Sequence, residues 1–497
     1  MWRREKIWNE AGPAERRLAG LALNPAAPVG LLLRLLADGP PAARMALCGD
    51  RDLPVPVVDA LLTHPDRWAR AVFASSPHAD PAQRARLVDD PDYVVKGHLA
   101  GGPPNRWTVR RPRLPDLTVV HIINTYDGEM VQGIECQISA GLRRDMPTHP
   151  DRKVRLWGVG SWRSLSAELR AALLADPDPE VREYAEQQAR HEDPQWVQRE
   201  LPERSCHART GMLLHDALSR AVIDSVLTAP VGKGDRAMIA GNPSLPPDVV
   251  VLLAGDPDPE VRERIAHRPD LGAAELRALA VDPDPKVRLT LSTHPALAES
   301  ERAGIDYEVP EGGYFGPTYQ PSPPRDPAAL RRDALSTHPL LRRRAAGDQL
   351  LPPDLLDLLA ADPDLGVRVT LAQNHPDAPA ELLLRGFLEY AGDDRAELLT
   401  RPQFPTVGLA AYAEHEDPAL RALAARDPGL APALADRLTR DSDPEVRRTL
   451  ARHPNLPAAR IVELLEDAEL AAHAAANPAL DPSLMEELVN ALAHAAS

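Results

Sequence analysis

Apolar residues in this chain come in short bursts, and the bursts recur. After Asp256-Pro257-Asp258-Pro259-Glu260-Val261-Arg262, the positions Val261, Ile265 and Ala266 share one face at helical spacing, and the burst closes at Arg268-Pro269. A second burst follows at Leu271, Leu276 and Leu279 and is ended by Asp282-Pro283. The pattern predicts two short helices per period. Asp258 is placed to cap the first by accepting from orphan backbone donors, Pro259 suits the first helical position, and Glu260 suits the positive end of the dipole. The proline of Arg268-Pro269 drives the residue before it out of helical geometry. Each unit of about 26 residues is too small to bury its own apolar face and needs neighbours.

The phrase returns at residues 176–182, 282–288, 362–368 and 441–447. With the apolar-basic pair as a ruler, earlier units fall at Arg44, Arg70 and Lys96. Later ones fall at Arg155, Arg182, a degenerate stretch at Cys206–Thr210, Arg236, Arg262, Arg288, Arg344, Arg368, a weak unit near Arg395, Arg421, Arg447 and Ala471. Two stretches break the ruler. Leu117–Asn124 and Met130–Ile138 are rich in β-branched residues on either side of Tyr126-Asp127-Gly128, which predicts a β-hairpin. Residues 305–327 are crowded with Gly and Pro and predict a loop. The expected organisation is N-terminal repeats with a cap over 1–103, a β-hairpin insertion over 104–140, central repeats over 141–298, a Pro/Gly/aromatic insertion over 299–330, and C-terminal repeats with a cap over 331–497.

Composition changes this picture little. The 53 prolines would suggest disorder if scattered, but they punctuate helix starts and stops. A net charge of −16 opposes nucleic acid or an anionic membrane as a general partner. Cys48, Cys136 and Cys206 form no CxxC pair, and no apolar run approaches the roughly 20 residues of a membrane helix, so a cytoplasmic protein is expected.

Candidate chemistry lies mostly outside the repeats. Arg106, Trp107, Arg110, Arg111 and Arg113 form a basic run in an acidic chain, read either as a contact for an acidic or phosphorylated partner or as a solvated linker. Tyr307, Tyr314, Phe315 and Tyr319 put aromatics on the second insertion, either for recognition or to seal a gap between units. Cys206, His207, His215 and Asp216 match no zinc spacing, so no metal site is assigned, and no catalytic residue or cofactor either. Gly232-Lys233-Gly234 lacks a phosphate loop's spacing. The recurring arginines, Arg182, Arg262, Arg288, Arg368 and Arg447 among them, predict a structural ladder. Each should pair with the aspartate of its own or the adjacent Asp-Pro turn, the competing reading being a basic stripe for an anion. The His-Pro histidines (His64, His149, His294, His338, His375, His453) recur for the sake of the turn.

The alternation of Asp-Pro-Glu-Val-Arg at 443–447 with His-Pro-Asn-Leu-Pro at 453–457 resembles the leucine-rich repeat variant family of bacteria and, more loosely, HEAT-like repeats. The resemblance implies an all-α fold, a right-handed α-solenoid superhelix of short stacked helices, some of them 3₁₀. A member of that family carries an N-terminal cysteine cluster for an iron-sulfur centre. Only Cys48 stands in that region here, so that cofactor is not carried over. The function expected is a non-enzymatic protein-binding scaffold or adaptor that holds a protein or peptide on its concave face and two insertions. The alternative is a nucleic-acid-binding or DNA-glycosylase-like HEAT-repeat enzyme.

Overall fold

The computed structural model describes residues 7, 10–103, 113–232, 234–309, 326–392 and 394–495. Every regular element among them is helical, most helices having two to three turns and a few being 3₁₀. The chain forms two compact units, Met1–Arg143 with Thr400–Ser497, and Arg144–Leu399.

The helix start works as the phrase predicts. In helix Pro259–Ala266, Asp258 accepts from Glu260 N at 2.9 Å, and Asp256 accepts from Asp258 N at the same distance. Two aspartates therefore shape one turn, the first fixing the approach and the second capping the helix. Asp66, Asp92, Asp151, Asp178, Asp284 and Asp443 cap in the same way. Val261 and Ile265 are buried, as are Val287 and Leu291 one period on, and they share a core with Leu253 and Leu279 from the second helices and Leu271 from the turn before one of them. Stacking thus gives each short helix the apolar cover it lacks alone.

The β-hairpin is overturned. Leu117–Asn124 lies in helix Asp116–Thr125, and the expected return strand is helix Gly128–Val131 followed by 3₁₀ helix Gln132–Gln137. Val119, Ile122 and Ile123 are the buried residues, a helical spacing, so packing on one face outweighs the weak strand preference of β-branched side chains. Gln137 is buried and donates to Leu99 O at 2.9 Å, which ties the segment into the stack beside helix Tyr93–Gly101.

In the first unit the two ends of the chain meet. Helix Pro13–Ala22 lies between helices Ala471–Ala475 and Pro41–Gly49. A Cβ at Gly20 would fall 1.8 Å from the Ala472 carbonyl oxygen, so only glycine allows this approach. Asn24 donates to Ala475 O at 3.0 Å and Asn477 O at 2.6 Å. Asn477 in turn donates to Ala451 O and His453 O, both at 2.9 Å. The contact between chain ends therefore repeats the one between consecutive units. Arg17–Glu466 and Arg34–Glu486, each at 2.7 Å, flank it.

Candidate functional site

The arginine after the buried apolar residue of a first helix, Val, Leu or Ala, sits between two turns. Arg262 Nη1 donates to Asp256 O in its own turn at 2.7 Å, while Nε and Nη2 hold Asp282 of the next turn at 2.7 and 2.9 Å. The same fork joins Arg70 to Asp90, Arg155 to Asp176, Arg342 to Asp362 and Arg421 to Asp441. Asp90, Asp176, Asp282 and Asp362 are almost fully buried, and Asp441 is half-buried. The arginine hydrogen bond lowers the carboxyl pKa of Asp176 and Asp441; at Asp282 burial is the largest influence and raises it, but the bonds from Arg262 and the Asp284 N–H, with the charges of Arg262 and Arg288, together bring it down. The fork neutralises the stripe and locks neighbouring units with two parallel bonds.

The other ladder positions vary in their acid. Arg288 reaches the exposed Asp306 at 3.4 Å, Arg368 pairs with Glu389, and Arg447 holds Glu469 at 2.6 Å. Arg182 donates to Asp176 O, and no carboxylate among the described residues pairs with it. One register differs from the sequence reading. Arg342, not Arg344, occupies the ladder, because Leu341 is the buried apolar residue before it; Arg344 turns to Asp333 at 2.8 Å.

A second ladder runs through the residues before the proline of the second turn. Asn242 donates to Leu213 O and Asp216 O at 2.9 Å, His294 meets Arg268 O at 2.6 Å, and His453 meets Asp427 O at 3.0 Å. His294 Nδ1 accepts from Ala296 N and His453 Nδ1 from Asn455 N, both at 3.1 Å. This fixes the tautomer with the proton on Nε2 and leaves neither ring a free lone pair for base catalysis. The His-Pro dipeptide occupies more than one place. His64 and His149 stand where the first aspartate of the phrase otherwise sits, each accepting from the backbone N–H two residues on. His338 instead caps helix Pro339–Ala346.

Of the basic run, Arg113 is exposed, while Arg106, Trp107, Arg110 and Arg111 lie outside the described residues. Tyr307 is half-buried and stacks on His338 with ring centroids 4.3 Å apart; Tyr314, Phe315 and Tyr319 lie outside the described residues. His338 is buried, and its Nε2–H donates to Ser292 Oγ at 2.7 Å while Nδ1 accepts from Leu340 N. Burial, with Arg302 nearby, lowers its pKa to about 4. Glu299 spans the joint by accepting from Thr337 N, Thr337 Oγ1 and Ser336 Oγ at 2.9–3.1 Å. Burial would raise its pKa, but these bonds and Arg302 bring it down to about 2.

Sequence reasoning missed one cluster. Asp216 has a buried carboxylate that accepts from Arg163 at 2.8 Å and His191 Nδ1 at 2.7 Å, and the His191 ring packs edge-on against Trp196. Trp162 and Arg170 both donate to the neighbouring Glu192. The sequence signal available was the density of Trp, His and Arg at 157–196. Among the described residues no serine, threonine or cysteine hydrogen-bonds His191. Nor does any group of three His, Cys, Asp or Glu among them stand ready to hold a metal ion.

With the helix pair, its capping aspartate and both ladders in place, one unit can be compared with known families. Residues 444–469 match the family model described as leucine rich repeat variant. That stretch is similar to a leucine-rich repeat variant unit. It spans helices Pro444–Ala451 and Ala458–Leu464 and holds Arg447 and His453, one rung of each ladder. The crystal structure of an engineered protein is similar over 97% of this chain and 99% of its own, at 14% identity and a TM-score of 0.13. No curated protein matches the chain. No helix among the described residues is long and apolar enough to cross a membrane.

Proposed function

We propose that this chain is a non-enzymatic protein-binding scaffold of the cytoplasm, a right-handed α-solenoid of helix-pair repeats that holds a protein or peptide partner on its concave face and its two repeat-breaking segments. The observation that carries the reading is the use of the repeated polar residues: Arg182 apart, arginines, aspartates and histidines of both ladders are spent on neighbouring turns. Binding then falls mainly to residues outside the repeat, with Arg106, Trp107, Arg110, Arg111 and Arg113 before helix Asp116–Thr125 and Tyr307, Tyr314, Phe315 and Tyr319 on the second insertion as the partner-binding candidates. Aromatics supply large contact area at modest entropic cost, and arginines add a planar charged fork, which suits both segments.

The test is affinity capture from native cells with the intact chain and a chain lacking residues 305–327. Loss of specific partners on deletion supports the reading; identical partners remove the aromatic segment from it. Tight DNA binding that weakens steeply with salt would favour a nucleic-acid protein and sink the scaffold reading.

A further inference from the structure

One rung of the arginine ladder is open. Arg70, Arg262, Arg342 and Arg421 each meet an aspartate 20 residues onward, namely Asp90, Asp282, Asp362 and Asp441. The residue 20 positions after Arg182 is Pro202, which offers no carboxylate, and the adjacent Glu203 is exposed. The turn itself is kept, since Pro202 O accepts from Arg209 Nη1 at 2.7 Å, as ladder-turn carbonyls do elsewhere. On its own side Arg182 is also seated: Nη1 donates to Asp176 O, and the preceding Val181 is fully buried in helix Pro179–Arg190. The outer Nε/Nη2 edge is thus held in place with no carboxylate among the described residues to meet it.

We propose that this edge is a docking point for an acidic side chain, Asp or Glu, of a protein partner, which completes the rung in trans. The inference rests on the scaffold reading and names the chemistry of its partner. A carboxylate is the occupant because the filled rungs show the same edge taking one through two bonds of 2.6–3.1 Å. A guanidinium already fixed by its backbone contact loses little further freedom on binding, and its planar fork distinguishes it from an ammonium. The chain's charge of −16 gives no long-range attraction for an acidic partner, so recognition depends on this short-range fork.

The test is calorimetric titration of the full-length protein with hexaglutamate, with hexaglutamine as control. Wild type is expected to bind hexaglutamate alone, R182A and R182K to weaken it at least tenfold, and the surface variant R277A to leave it unchanged. In thermal unfolding R182A should keep the wild-type midpoint while R262A lowers it. Hexaglutamate binding equally to R182A overturns the proposal, as does no binding to wild type. A midpoint loss in R182A matching that of R262A also overturns it, because the rung is then filled from within. None of these results touches the scaffold reading, which stands or falls on partner capture by the intact chain.

Discussion

Two junctions interrupt the regular succession of repeats, and they are closed by different chemistry. Where the chain ends meet, Asn24 hydrogen-bonds the Ala475 and Asn477 carbonyls as Asn477 bonds those of Ala451 and His453, and Gly20 lets the backbones close up. Across the second insertion the pattern is rebuilt from other groups: Glu299 gathers Ser336 and Thr337, and His338 takes the capping place of an aspartate. Each junction holds a histidine whose pKa is lowered to about 4 by burial, His473 at the chain ends and His338 at the insertion. The difference lies in bonding. His338 uses both ring nitrogens, whereas His473 Nδ1 has no partner. A repeat interface is therefore defined by which backbone carbonyls a side chain can reach, and chain continuity is not needed to make one.

The largest effect that could break this comparison is expected at Gly20. Gly20→Ala drives a methyl into the Ala472 carbonyl and should cost about 3 kcal/mol or more. Hydrogen exchange should show lost protection in Pro13–Ala22 and Ala471–Ala475, with 144–399 unaffected; wild-type protection would mean that the ends do not pack this way. Next come Asn24→Ala and Asn477→Ala, each stranding buried carbonyls at about 1–3 kcal/mol. Equal losses in denaturant unfolding confirm that the two interfaces are equivalent, and a silent Asn24→Ala refutes it. The histidines should then diverge. His338→Leu strands Leu340 N and Ser292 Oγ, for roughly 2 kcal/mol, while His473→Leu, with an unpartnered Nδ1 to lose, should be close to neutral at pH 7.

A separate effect lies in the acid limb of stability. The unfolded chain protonates these histidines near their ordinary 6.5 and the folded one near 4, so their contribution is complete above pH 6.5 and is lost as pH falls towards 4. Glu299 contributes fully above its ordinary 4.5 and loses this towards pH 2. Glu299→Gln should flatten the lower window and leave the upper one; a change confined to pH 4–6.5 would contradict the assignment.

Much of the fold was legible because the repeat writes its own boundaries. Asp-Pro-Asp-Pro-Glu-Val-Arg specifies a turn, a cap, a helix start, a buried valine and a fork, all within seven residues. Misreadings arose where local preference and packing disagree. Leu117–Asn124 looked like a strand from its β-branched residues, though Val119, Ile122 and Ile123 already carried helical spacing. Three consecutive arginines, Arg342 to Arg344, leave the register to Leu341, and residue spacing alone points to Arg344. The Asp216 cluster joins Arg163, His191 and Asp216 from separate turns, and no spacing within one repeat announces it. The meeting of the chain ends was hidden for the same reason, since Asn24 and Asn477 each look like an ordinary member of their own repeat.

That meeting also sets an order of events during synthesis. Arg17 and its partner Glu466 are separated by 449 positions. At roughly 5–20 residues per second, the face of helix Pro13–Ala22 that Ala471–Ala475 will cover waits on the order of half a minute to a minute and a half after it is made. A helix made early is thus covered only after about 450 further residues, so its apolar face stays open through that interval and is the natural place for a chaperone to hold the nascent chain.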